Sequence, residues 1–152
     1  MRKFHFSLQR LLDYKQTVED ALLVELAALR AEHTREKAVL AEMMRAKEAF
    51  GRRIRKTLVT GDAEQIQRAY AYLQDLGKQI TSQDAKVRQI AMKTDEKMCE
   101  VIAASKERKA LDRLREHKED EHRQEAQRLA QVFLDDIAST RSGRRCGVGG
   151  LQ

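Results

Sequence analysis

Apolar residues recur at spacings of three and four along the first third of the chain: Leu8, Leu11, Leu12, Val18, Leu22, Leu26, Leu29, Leu40, Met43, Phe50 and Ile54. That spacing lines them along one face of a helix. The stripe thins from Glu32 to Lys37, where His33 and charged residues take its place. No proline occurs in the 152 residues, so long helical runs can persist. The one clear break is Thr60-Gly61-Asp62. Gly61 supplies a permissive backbone for a reversal. Asp62 is a favoured N-cap, with Gln65 three residues later in the capping-box position. The pattern predicts helix 1 from about Phe4 to Leu58, a turn over 59–62, and helix 2 from about Ala63 to Thr140.

Folding the chain at that break pairs positions whose numbers sum to about 120. Ile54 then faces Ile66, Phe50 faces Tyr70, Leu40 faces Ile80, Leu22 faces Met98 and Val18 faces Ile102, with Met43 beside Leu76. A fold near Ile80 would instead set Leu40 against Asp120 and Ile54 against Lys106. Burying a charge against an apolar residue costs more than it gains, which selects the first register. The expected fold class is all-α: two long helices in an antiparallel coiled-coil hairpin, spanning 1–140 as one domain. Gly77 and Thr81-Ser82-Gln83-Asp84 mark a soft stretch where helix 2 could bend, since an interior glycine costs about 1 kcal/mol. The Gly-rich segment 141–152 reads as a disordered tail.

The two helices are unequal, so helix 2 overhangs helix 1. The start of helix 1 falls beside residues 111–117, where Phe4, Phe6, Leu8, Leu11 and Leu12 pack against Leu111 and Leu114 in preference to lying on a membrane. Lys106 to Arg128 is mostly charged and nearly balanced in sign. Apolar residues then return, with Leu129, Phe133 and Ile137 four apart and Val132 beside them. An unpaired amphipathic end of this kind is a docking surface.

Charge changes this picture little. Lys and Arg number 30 against 24 Asp and Glu, and only 5% of residues are aromatic. Arg52, Arg53, Arg55 and Lys56 cluster, as do Arg141, Arg144 and Arg145, yet no nucleic-acid-binding motif accompanies them. The cluster before the turn reads as a solvated face at a hairpin tip. There is no GxxxxGK[ST], GxSxG or HExxH, so no enzyme and no cofactor is expected. His117 and His122 are five apart and do not share a helical face, so no metal site is expected. Cys99 reads as a small packing residue and Cys146 lies in the tail, with no CxxC pair. The N-terminal residues lead into no apolar segment of signal-peptide length, and no stretch approaches the ~20 apolar residues of a membrane span. The expected compartment is the cytoplasm.

Phe4-x-Phe6-x-Leu8-x-x-Leu11-Leu12 resembles the opening of flagellar export proteins of the FliJ family. So do Ile66-x-x-x-Tyr70-x-Tyr72-Leu73-x-x-Leu76-x-x-x-Ile80, the run Lys106 to Leu114, and Phe133 to Arg141. The resemblance extends to Arg141. It implies a stalk-like antiparallel coiled coil of the type III export apparatus. Its implied partners are the hexameric export ATPase, the export-gate membrane protein and export chaperones, with no nucleic acid. It further implies a peripheral place at the inner membrane of the flagellar base. Carried over by position, the gate contact falls on Tyr72, Leu76, Gln79 and Gln83. Tyr72 lies two residues from Tyr70 and should leave the seam. ATPase docking is expected on Leu129, Val132, Phe133 and Ile137. The alternatives are a stalk or stator subunit of a related rotary ATPase or virulence-type secretion system, and a generic homodimeric coiled-coil scaffold.

Overall fold

In a computed structural model the described residues are 3–59 and 61–146. They form two helices, α1 (Gln9–Thr57) and α2 (Ala63–Cys146), packed antiparallel, with no strand among the described residues. The expected helical hairpin is what the chain forms.

Two boundaries and one interior stretch differ from the sequence reading. α1 begins at Gln9 rather than near Phe4; the N–H of Leu12 bonds to the carbonyl of Leu8 at 3.0 Å, and that of Gln9 to Phe6 at 3.2 Å. In a helix Phe4 and Phe6 would point about 200° apart, so only one could face α2. In the non-helical segment that precedes α1, Phe6 is buried and Phe4 lies against His122. α2 continues six residues past Thr140, to Cys146. No proline stops it, and one interior glycine costs only about 1 kcal/mol; the rest of the predicted tail, 147–152, lies outside the described residues. Between 77 and 84 the helix is uninterrupted. The position of Gly77 faces Lys47: a Cβ there would sit 3.5 Å from the Lys47 Nζ. That is an ordinary contact distance, so a side chain there would fit beside the lysine.

Asp62 starts α2: its carbonyl accepts the Ile66 N–H at 3.1 Å, and its Oδ1 accepts the Ala63 N–H at 2.9 Å.

The chain divides into two units. In the unit Val18–Ala104, the covered positions of α1 are Leu22, Leu26, Leu29, His33, Glu36, Leu40, Met43, Phe50 and Ile54. Those of α2 step by three and four from Ile66 through Leu73, Leu76, Ile80, Gln83, Val87, Ile90, Thr94 and Lys97 to Val101 and Ala104. This is the seam of a coiled coil, in which alternate steps average 3.5 residues. Leu26, Ile54, Leu76, Val87, Ile90 and Val101 are its most buried members. A fully buried side chain of this kind contributes about 1.5–3 kcal/mol.

The register is fixed by cross-helix contacts. Lys97 bonds Glu25 at 2.9 Å, Lys86 bonds Glu36 at 2.8 Å, and the rings of Phe50 and Tyr72 lie 4.6 Å apart. In each pair the two numbers add to 122. The expected register is right to within two residues, and those two residues correct three pairings. Phe50 meets Tyr72, so Tyr72 does not leave the seam region. Val18 and Leu22 do not face Ile102 and Met98; those two are exposed, and Val101 and Ala104 occupy the seam. The thin stretch Glu32 to Lys37 is filled by a polar layer. Gln83 Nε2 donates to both the Glu36 carbonyl, at 3.1 Å, and Glu36 Oε2, at 2.7 Å.

In the other unit, the residues up to Thr17 pack against those from Ser105 onward. Phe6 and Leu12 are buried, and Lys15 Nζ bonds Glu107 Oε2 at 2.6 Å. These two numbers also add to 122. On α2 the covered positions are Arg108, Leu111, Asp112 and Arg115, with Arg108 paired to Asp112. Leu114, expected in the seam, is one position off it and partly exposed.

Candidate docking surface on the end of α2

Phe4 is the first described residue to reach α2 as an aromatic contact. Its ring lies 5.7 Å from that of His122, tilted by 59°. Up to Thr140, Ala126 is the last partly covered residue of α2, and every residue from Gln127 to Thr140 is exposed. The three-and-four series that runs through Leu111 and Arg115 continues through Lys118, His122 and Glu125 to Leu129 and Val132. The apolar face at the end of α2 is thus the uncovered continuation of the face that α1 covers earlier.

Leu129, Val132, Phe133 and Ile137 are 55%, 48%, 65% and 39% exposed. Arg123, Ala126, Leu129, Ala130 and Phe133 line a shallow concavity of about 620 Å³ whose other wall includes His122. Ala126 and Ala130 deepen it because they lack bulk; the sequence pattern points to Ala130 among the returning apolar residues but not to Ala126. A second concavity, of about 570 Å³, lies where Phe4, Phe6 and Leu8 meet Leu114 and His122.

Pairs within the helix hold this segment. Arg128 donates through Nε and Nη2 to the two carboxylate oxygens of Glu125 at 2.9 and 2.8 Å, which holds the Glu125 carboxyl below its ordinary value. Lys118 bonds Glu121 at 2.8 Å and likewise lowers the Glu121 carboxyl. Gln131 donates to Asp135 at 3.0 Å. Such exposed pairs within one helix add little each, so the face stays open without the helix losing all support.

The residues carried over as a gate contact belong to the other unit. Leu76 is buried in the seam, and Gln83 is committed to Glu36. Gln79 is exposed and bonds Asp75 at 2.9 Å within α2. Tyr72 is half exposed, with one side of its ring edge-on to Phe50. Tyr72 and Gln79 therefore flank the seam one position before Leu73 and Ile80, while Leu76 and Gln83 lie in it.

Among the described residues no group of three or more His, Cys, Asp or Glu is placed to hold a metal ion. No described helix is long and apolar enough to cross a membrane. A family model described as flagellar FliJ protein matches residues 4–147. No curated protein and no solved structure matches. With nearly its whole length matched and a two-helix antiparallel fold to carry the match, the chain belongs to the FliJ family and is a component of flagellar protein export.

Proposed function

We propose that this chain couples the hexameric export ATPase to the export gate, with the end of α2 docking on the ATPase. The observation that carries the reading is the apolar face Leu129–Val132–Phe133–Ile137, left uncovered where α1 ends. Burying such a face on a ring of subunits contributes several kcal/mol at about 25 cal/mol per Å², before the cost of association is deducted. The gate contact draws on the exposed flank, Tyr72 and Gln79, and acts through Leu76 and Gln83 only by holding that flank in place. No catalytic role is assigned to the chain; its effect is on the assembly or turnover of its partner.

Phe133→Asp tests the ATPase half. The substitution leaves helix content unchanged by circular dichroism, because Phe133 touches no part of α1, and abolishes stimulation of the export ATPase. Full stimulation by the Phe133→Asp protein would remove this face from the coupling.

A further inference from the structure

The last turn and a half of α1 reads Arg52-Arg53-Ile54-Arg55-Lys56. Ile54 is buried in the seam. At 3.6 residues per turn, Arg53 and Arg55 point about 100° to either side of it and Arg52 and Lys56 about 160° away. All four cations are exposed and fan outward around the helix. No acidic residue occurs between Glu48 and Asp62. Glu48 reaches Arg52 at 3.0 Å, with both side chains two-thirds exposed. Beyond the cations come Leu58 and Val59, both exposed, Val59 at 84%. On one side the cationic surface runs into a concavity of about 530 Å³ with Leu73 and Ile80 within it and Lys47, Arg52 and Arg55 at its edge. The hairpin end of this unit carries Leu58 and Val59 beside the cations of α1, and α2 brings the exposed acids Asp62 and Glu64 to the same end, Glu64 paired with Arg68.

We infer that this hairpin end docks on an anionic phospholipid surface. Leu58 and Val59 enter the headgroup layer, and Arg52, Arg53, Arg55 and Lys56 meet lipid phosphates. Cations fanned around a convex end suit a broad, uniformly charged plane; a protein groove would engage one side of the fan and leave the rest in water. Among the aromatic side chains near this end, Phe50 and Tyr72 are engaged with one another, and Tyr70 is half exposed. Each Lys or Arg near an anionic leaflet strengthens partitioning about fivefold, falling off within a Debye length. With no described helix able to span a bilayer, the contact is one of surface adsorption. It stands independently of the coupling proposed above, which rests on the end of α2.

The test is co-sedimentation of the full chain with vesicles of phosphatidylglycerol and phosphatidylcholine, against vesicles of phosphatidylcholine alone. The chain binds the anionic vesicles, and raising salt releases it. Replacing Arg52, Arg53, Arg55 and Lys56 together by Gln lowers binding more than a hundredfold. The same number of changes elsewhere, Lys37, Arg88, Lys93 and Lys109 to Gln, lowers it less than tenfold. Val59→Ser with Leu58→Ser weakens binding severalfold at unchanged charge, and covers the case in which the fourfold variant loses helix content. Equal losses from the two fourfold variants would reduce the effect to net charge and overturn the proposal. So would binding to neutral vesicles, or a wild-type chain that ignores lipid while its Arg52–Lys56 segment is needed to hold the gate protein. Phe133→Asp binds vesicles as the wild type does, so a failure of the ATPase reading leaves this result unaffected.

Discussion

Glu36 shows what a single residue does in a two-helix seam. A carboxylate half-buried in the seam must keep its hydrogen bonds or lose free energy. Lys86 and Gln83 supply them, and together, Lys86 foremost, they hold the Glu36 carboxyl below its ordinary value. A lowered folded-state pKa means stability that is fully present above the ordinary carboxylate range and lost as pH falls through the folded value. Thermal melts taken from pH 6 down to pH 3 should therefore show the wild type losing more stability than Glu36→Gln. Parallel curves would place the acid sensitivity elsewhere. Tyr72 makes a second case. Its ring contact with Phe50 is of a kind worth about 0.5–1.5 kcal/mol. Tyr72→Ala should thus lower stability by roughly that amount, while Tyr72→Phe keeps it. A gate-binding loss seen only in the alanine variant then reports on the ring, and one seen in both reports on the hydroxyl.

At the scale of the helices, the spacing of apolar letters was enough to find both elements and the turn. It was not enough to find the whole seam. Gln83, Thr94, Lys97 and Arg108 occupy seam positions with polar side chains, and a search for apolar residues passes over them. Met98 and Ile102 attract the eye because they are apolar and four apart, yet each lies one step off the series through Lys97 and Val101. Only the strict alternation of three and four, carried through polar letters, separates the two. The open end of α2 was legible because it follows from register alone, whereas its alanine-lined concavity needed atomic positions. The same alternation predicts unequal responses to truncation on α1. Leu26→Ala, at a buried position, should cost about 2–4 kcal/mol. Val24→Ala, which is 70% exposed, should change stability by no more than about 0.5 kcal/mol. Urea unfolding at fixed pH distinguishes them; similar shifts in midpoint would contradict the seam as described.

For the molecule as a whole, the hairpin is a statement about which half of the chain meets which. Cysteines at Val18 and Ala104, with Cys99 and Cys146 replaced by Ser, should crosslink within one chain on oxidation, because both positions face the seam and their numbers add to 122 as the observed pairs do. Crosslinks that appear only between chains would replace the hairpin with a dimer. A repeating seam carries a risk that few contacts counter: slipping one helix by seven residues restores every spacing and almost every apolar match. The polar layer breaks this degeneracy. Seven residues either side of Gln83 lie Leu76 and Ile90, both buried, so a slipped pairing would set an apolar side chain where Gln83 meets the Glu36 carboxylate and leave only Gln79 or Lys93 in the place of Lys86. Doubly partnered in only one alignment, Glu36 serves as the index mark by which the two strands of this hairpin recognise their correct neighbours while folding, and its removal should broaden the chain's conformational choices before it weakens the chain.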